Sequence, residues 1–390
     1  MFGRMRKVNP LASCGSPACL LERARANAGE IVIGRAGERV CSVPVQRFAS
    51  HLSVTGQPGM GKTTFVVSIV KQFASHGVNV LILEPAKVEY GEALGGNAEV
   101  IGGTASGCGH LLENPFAVDP GICPNVWIQD ISSVLQDAFG MREQPLPLHL
   151  EALMVRLYRD KGVDVSAPAR ADTQWPTVRD FVETIMPYIR DETCAGSEVT
   201  QNIAGALIAR GRSMCRMKPL LAKGGLMAND LIGFVGGIKV IQLSDLGPEA
   251  SKLVGMTLLA RILRTSRLLG RRDLHTVIVI EEAHSLLVNT ATGEPTLFAN
   301  MYESALAELR SSGIGLITVD QRPSLLPAGV LANSVSKVAF ANTHGNDRES
   351  ISKALGFDGE GQAARFGTLD VGCALFHTSG LSGAIALRTL

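Results

Sequence analysis

Apolar residues change their spacing several times along this chain, and each change marks an element. Residues 51–55 (HLSVT) form a short apolar run of the β type that stops at Gly56. Beyond Thr63 the apolar residues Phe65, Val66, Ile69, Val70 and Phe73 recur at three- and four-residue steps. That period predicts a helix with one buried face, and Gly77 closes it. Residues 78–83 (VNVLIL) then read as a buried strand. Strand, glycine-rich loop, helix and strand in this order make a βαβ unit, the repeating piece of an α/β fold. Upstream, residues 30–48 hold two short β-type runs around Gly34–Gly37 and read as a hairpin leading into the core.

The pattern changes in the middle of the chain. Residues 102–109 are loop-like, while roughly 125–160 and 177–215 carry helical patterns separated by the polar segment 161–176. Residues from about 104 to 236 are therefore expected to form a largely helical insertion. Strand signals resume at 238–243, 276–280, 314–319, 337–341 and 372–377, mostly with helices between them. The expected organisation is a tail over 1–28, a short β element over 29–50, and an α/β domain over 51–390. Its central sheet should be mainly parallel and flanked by helices.

Composition narrows the class. An apolar fraction of 46% over 390 residues is ample for a large core. The 37 Lys and Arg against 36 Asp and Glu leave a net charge of +1, which excludes a globally basic nucleic-acid coat. Contact with a polyanion would need a local patch. Of eight cysteines only Cys14 and Cys19 lie close together, and no second pair completes a zinc set. Scattered thiols fit a reducing cytosol, so a cytoplasmic location is expected. No apolar run reaches the roughly 18–20 residues of a membrane span, and the first 28 residues lack the apolar stretch of a secretory signal.

The strongest chemical signal follows the first core strand. Gly56, Gln57, Pro58, Gly59, Met60, Gly61, Lys62 and Thr63 spell GQPGMGKT, with Thr64 next, between a predicted strand and a predicted helix. Glycines at 56, 59 and 61 let backbone N–H groups converge on one phosphate, and the helix presents its positive end to the same anion. Lys62 can reach the β- and γ-phosphates, and the Thr63 hydroxyl can ligate Mg²⁺. ATP and Mg²⁺ are the expected ligands, because no guanine-reading pattern accompanies the loop. Residues 276–284 (TVIVIEEAH) supply the acids such a loop requires. Glu281 and Glu282 emerge at the carboxyl end of an apolar run, where open α/β sheets bind ligands. Glu281 is assigned to the metal, and Glu282 to polarising the attacking water.

With these residues the chain resembles the HerA/FtsK class of P-loop motor ATPases, most closely its HerA-like branch, over roughly residues 30–390. The resemblance is carried by GQPGMGKTT, by the EEAH end of the acidic strand, by ELRSSGIGLITVDQRPSLL (308–326), and by LEPAKVEY (83–90). It implies a P-loop NTPase core of RecA-like type. It also implies a homo-oligomer, a hexameric ring that couples ATP hydrolysis to moving a polymer, usually duplex DNA, through its centre. It further implies that Gln321 senses the γ-phosphate and that Arg310 reaches the neighbouring subunit's nucleotide, with Arg322 as the alternative. An inserted guanidinium of that kind accelerates phosphoryl transfer by roughly 10³–10⁵. Three departures stand out: Glu281 where the general pattern has Asp, Asp320 before Gln321 where the family has Thr, and a short N-terminal region in place of a β-barrel that docks a nuclease partner.

Two basic clusters could meet a polymer. Arg210, Arg212, Arg216, Lys218 and Lys223 precede a pair of glycines and suit a pore loop that tracks phosphates. Arg261, Arg264, Arg267, Arg271 and Arg272 share a helical face and read as the exposed side of an amphipathic helix. Aromatic residues are 5% of the chain and not interleaved with either cluster, so no base-stacking platform is indicated. His284, Lys87 and Glu89 lie near the predicted site without an assigned role. Besides a DNA translocase, the residues admit a secretion or conjugation ATPase of the VirB4/TraD type. They also admit a nucleotide-locked ring that scaffolds an effector, for example in phage defence.

Overall fold

A computed structural model describes residues 29–102, 113–192, 198–234, 236–270, 272–289, 292–357 and 364–389. The expected tail, most of the loop at 102–109, Cys14, Cys19, Cys108, Cys194 and Arg271 lie outside them.

The described residues form one 11-stranded sheet in the order β2-β1-β11-β10-β9-β3-β8-β7-β4-β6-β5. The strands are β1 (Glu30–Ala36), β2 (Arg39–Pro44), β3 (Leu52–Thr55), β4 (Asn79–Glu84), β5 (Glu99–Gly102), β6 (Ile238–Gln242), β7 (Thr276–Glu281), β8 (Ile314–Asp320), β9 (Ser336–Phe340), β10 (Cys373–His377) and β11 (Ile385–Arg388). From β9 to β5 all neighbours are parallel. The hairpin β1–β2 does not stand apart: it joins the same sheet through β11, in an antiparallel wing continued by β10. β5 and β11 carry no strand signal in the sequence reading, because four residues are too few to show a period.

The helices are α1 (Lys62–Ser75), α2 (Tyr90–Leu94), α3 (Pro124–Phe139), α4 (Leu146–Asp160), α5 (Val178–Glu192), α6 (Glu198–Arg216), α7 (Ala228–Ile232), α8 (Pro248–Ser266), α9 (His284–Leu287), α10 (Leu297–Ser311), α11 (Ala328–Asn333) and α12 (Gly345–Ala354). α3 to α7 all fall between β5 and β6. The central strands β3, β4, β7 and β8 are buried at every position because both faces are covered. Val80 and Ile82 of β4 pack with Phe65, Ile69 and Phe73 of α1, whereas Leu81 and Leu83 face the core built with α3–α6, α8 and α10. None of the described helices is long and apolar enough to cross a membrane.

One expectation is overturned. α8 does not expose its arginines as a solvated stripe. Arg261 is fully buried and donates to Glu113 Oε1 at 2.7 Å, to Asp119 Oδ2 at 3.1 Å, and to the carbonyls of Asn114 and Ala117 at 2.8 Å each. Arg264 pairs with Asp130 on α3, and Arg267 pairs with Glu308 on α10 at 2.5 Å. Periodicity could not show this, because the acids that bury Arg261 and Arg264 lie more than 130 residues upstream. In the other cluster Arg212, Arg216, Lys218 and Lys223 are exposed, but they run from α6 into a 3-10 turn over Lys218–Leu221.

Candidate active site

Strands β3, β8 and β7 are adjacent, and their carboxyl ends put three turns side by side. The glycine loop follows β3, Gln321 follows β8, and Glu281 ends β7 with Glu282 after it.

The loop needs its glycines. Gly56, Gly59 and Gly61 have φ of 149°, 76° and 103°, in the region that side chains disfavour. A Cβ on Gly56 would also stand 2.6 Å from Cβ of Phe340. Gly56 N–H donates to the carbonyl of Asp320 at 3.3 Å, and Gln57 N–H to Ala341 at 2.8 Å, which hang the loop between β8 and β9. Lys62 is buried and turns back on the loop, donating to the carbonyls of Gly56 at 2.7 Å and Gln57 at 3.1 Å. Burial pulls its pKa below the ordinary lysine value against the opposing pull of Glu281, Glu282 and Asp320. Thr63 opens α1 and donates to Glu89 Oε2 at 2.6 Å, while Thr64 beside it is exposed. Met60 is buried under the loop, and Pro58 lies on its outer side.

The acidic pair has two environments. Glu281 is 2% exposed and accepts the hydroxyl of Tyr90 at 2.7 Å. Burial raises its pKa to about 7; the Tyr90 hydrogen bond opposes this, and the neighbouring Glu282 adds to it. Glu282 sits at φ 47°, a left-handed conformation that costs a residue with a side chain on the order of 1–3 kcal/mol. Its Oε1 accepts from Gln321 and lies 3.2 Å from the Lys87 ammonium. Burial lowers the Lys87 pKa, but the Glu282 hydrogen bond and the surrounding carboxylates outweigh it and leave it raised.

Asp320 explains how that turn is held. Its buried carboxylate accepts the N–H groups of His284 at 2.9 Å and Arg322 at 2.7 Å, and pairs with His284 Nδ1 at 3.0 Å. It therefore ties the turn carrying Glu282 to the turn carrying Gln321. Burial disfavours the charged His284 ring, but Asp320 and then Glu282 hold its pKa above the ordinary value. The carboxylate noted in the sequence as an addition near the γ-phosphate is thus matched by a histidine.

Arg310 is elsewhere. It ends α10, just before β8 begins, so the length of that seven-residue strand, about 20 Å, separates it from Gln321. There it lines a cavity of about 760 Å³ with His51, Arg272, Asp273 and Asn333. Arg322 lies on the site side of the sheet, its backbone bound to Asp320.

The sequence reading left Glu84 and Tyr90 unassigned, yet both are fully buried here, and Glu84 Oε1 accepts the N–H groups of Glu89 at 2.7 Å and Tyr90 at 2.8 Å. The segment LEPAKVEY was the available signal. The Thr63 hydroxyl and the Glu89 carboxylate that accepts it are oxygen donors of the kind Mg²⁺ takes, and the group of three acidic or histidine side chains close enough to share an ion among the described residues is Glu282, His284 and Asp320.

Residues 31–262 match the family described as "Helicase HerA, central domain". Over 157 residues, 38% of this chain, the sequence is 29% identical to the DNA double-strand break repair helicase HerA of Saccharolobus solfataricus, and that match spans 31% of the relative's length. The fold is similar to VirB4 of Thermoanaerobacter pseudethanolicus, with a TM-score of 0.73 at 19% identity over 93% of this chain and 97% of that one. It is also similar to the plasmid coupling protein TrwB in complex with ADP and Mg²⁺, with a TM-score of 0.65 at 13% identity over 96% and 92%. At such identities the two structures share the fold alone.

Proposed function

This chain belongs to the family of the HerA helicase central domain, and from that premise we propose that it is an ATP-hydrolysing ring motor that moves duplex DNA through its centre. The observation that carries the proposal is the meeting of the glycine loop, Glu281–Glu282 and Gln321 on three adjacent strands. Backbone N–H groups of residues 59–63 cradle the phosphates, while those of Gly56 and Gln57 hold the loop to Asp320 and Ala341, and Lys62 leaves its loop carbonyls to neutralise them. Bound Mg²⁺ would be held by Thr63 and Glu281, and would screen the β- and γ-phosphates. Glu282 orients the attacking water and accepts its proton, with Gln321 and Lys87 fixing its carboxylate.

Arg310 sits at the wrong end of the sheet to serve its own nucleotide, so in this reading it acts on the neighbour's, in a homo-hexamer. Turnover then depends on assembly. An effector or nuclease partner and a cytoplasmic location complete the proposal. The same fold serves VirB4 and TrwB, so a secretion or conjugation ATPase is the second reading.

Mass in solution with and without nucleotide, combined with hydrolysis assayed with and without duplex DNA, separates them. Nucleotide-dependent hexamers whose hydrolysis rises with DNA are expected. Hydrolysis that ignores DNA and needs a partner protein would favour the second reading or a scaffold ring.

A further inference from the structure

Three residues after β4 reach three separate groups of the site. The buried Glu84 carboxylate fixes the backbone of Glu89 and Tyr90, and its second oxygen accepts from Gln242 at 3.2 Å. From that support Tyr90 donates to Glu281, Lys87 meets Glu282 at 3.2 Å, and Glu89 takes the Thr63 hydroxyl at 2.6 Å. The sequence assigns a role to none of these three side chains, although all lie in the segment LEPAKVEY.

Glu89 is the consequential one. Its carboxylate lies within hydrogen-bond reach of the hydroxyl that the phosphate-binding motif assigns to Mg²⁺. A fixed negative charge there repels a triphosphate and attracts a divalent cation. The nearest counter-charge on its own segment, Lys87, is 3.8 Å from Glu89 and 3.2 Å from Glu282, so one ammonium is shared between two carboxylates.

We propose that Glu89 is a further metal-facing carboxylate of the nucleotide site, whose charge makes tight triphosphate binding conditional on the accompanying divalent cation. The proposal rests on the nucleotide-site reading above. In this arrangement the free triphosphate is disfavoured and its magnesium complex admitted. The Thr63 hydroxyl passes from Glu89 to the metal, and the carboxylate remains beside it, bound directly or through water.

The test is the affinity of the full chain for a fluorescent, non-hydrolysable ATP analogue in magnesium chloride and in EDTA. The readout is the dissociation constant in EDTA divided by that in magnesium chloride. Glu89→Gln keeps the size and removes the charge, and it should lower that ratio about tenfold, by tightening binding in EDTA and weakening it in magnesium. Glu89→Asp should restore part of the ratio. A ratio unchanged in Glu89→Gln overturns the assignment of Glu89 alone. Wild-type chain that binds no analogue, or Lys62→Ala that binds as well as wild type, overturns the nucleotide-site reading and this proposal with it.

Discussion

Replacing Asp320 by Asn tests whether the clamp between the turns carrying Glu282 and Gln321 is real. The carboxylate receives two backbone N–H groups, at 2.9 and 2.7 Å, and the His284 ring at 3.0 Å, divided between its two oxygens. An asparagine offers one acceptor oxygen, and its amide N–H₂ must face one of the donors. At least one backbone N–H at this buried site then loses its partner, at a cost of about 1–3 kcal/mol, and a charge-assisted bond worth about 1.5–3 kcal/mol goes with it. A loss of about 2–4 kcal/mol is expected in urea unfolding, with some overlap between the two effects. The pH dependence has a definite sign. The folded pKa of His284 is raised, so its contribution is fully present below the unfolded value and disappears as pH rises through the folded one. The gap between wild type and Asp320→Asn should therefore be wider at pH 5.5 than at pH 9. Hydrolysis should fall at least about tenfold, since Glu282 at φ 47° loses its restraint, while nucleotide affinity changes little because Gly56 is bound to the Asp320 main chain. A loss below about 1 kcal/mol, or a gap that widens with pH, would refute the clamp.

Glu282→Gln should bind nucleotide normally and turn over at least about 10²-fold more slowly; normal turnover removes Glu282 from its role. Mixing Glu282→Gln with Arg310→Ala subunits should restore part of the activity that each variant lacks alone, as steady-state hydrolysis would show, and no recovery at any ratio excludes an action of Arg310 across subunits. Glu281, with its pKa raised to about 7 by burial, holds back stability as pH climbs from the unfolded value through the folded one. Glu281→Gln should accordingly unfold about 3 kcal/mol less readily than wild type at pH 8 without nucleotide and show no difference near pH 4, a contrast read by urea titration at both pH values. Arg261→Met leaves Glu113 and Asp119 buried without their cation and should cost about 3–5 kcal/mol, measured by denaturant unfolding; a cost under about 1 kcal/mol would mean that the cluster does not pin α8 to residues 113–119.

Much of the fold was legible because its signals are local. The change from short apolar runs to three- and four-residue steps located β3, α1 and β4, and the largely apolar β7 and β8 fit a sheet covered on both faces. Arg261 was misread for the complementary reason. A helical wheel shows which residues share a face, and says nothing about what a chain segment more than 140 residues away will lay against it.

By itself the sequence determined the glycine loop, since glycines accept the φ values found there at little cost, and it determined the acidic turn that ends an apolar strand. Only the tertiary structure decided which groups meet there. The parallel order β3-β8-β7 is set by sheet pairing, with Leu52 opposite Ile317 across most of the chain and Thr276 opposite Ile314, and it puts the turn of Gln321 between the loop of Lys62 and Glu282. The pairing of β4 with β7 sets Tyr90 against Glu281 and Glu89 against Thr63, and Arg310 falls at the far end of β8. Backbone conformation is written in neighbouring residues, whereas the electrostatics of a site depend on distances that exist only after the sheet has closed.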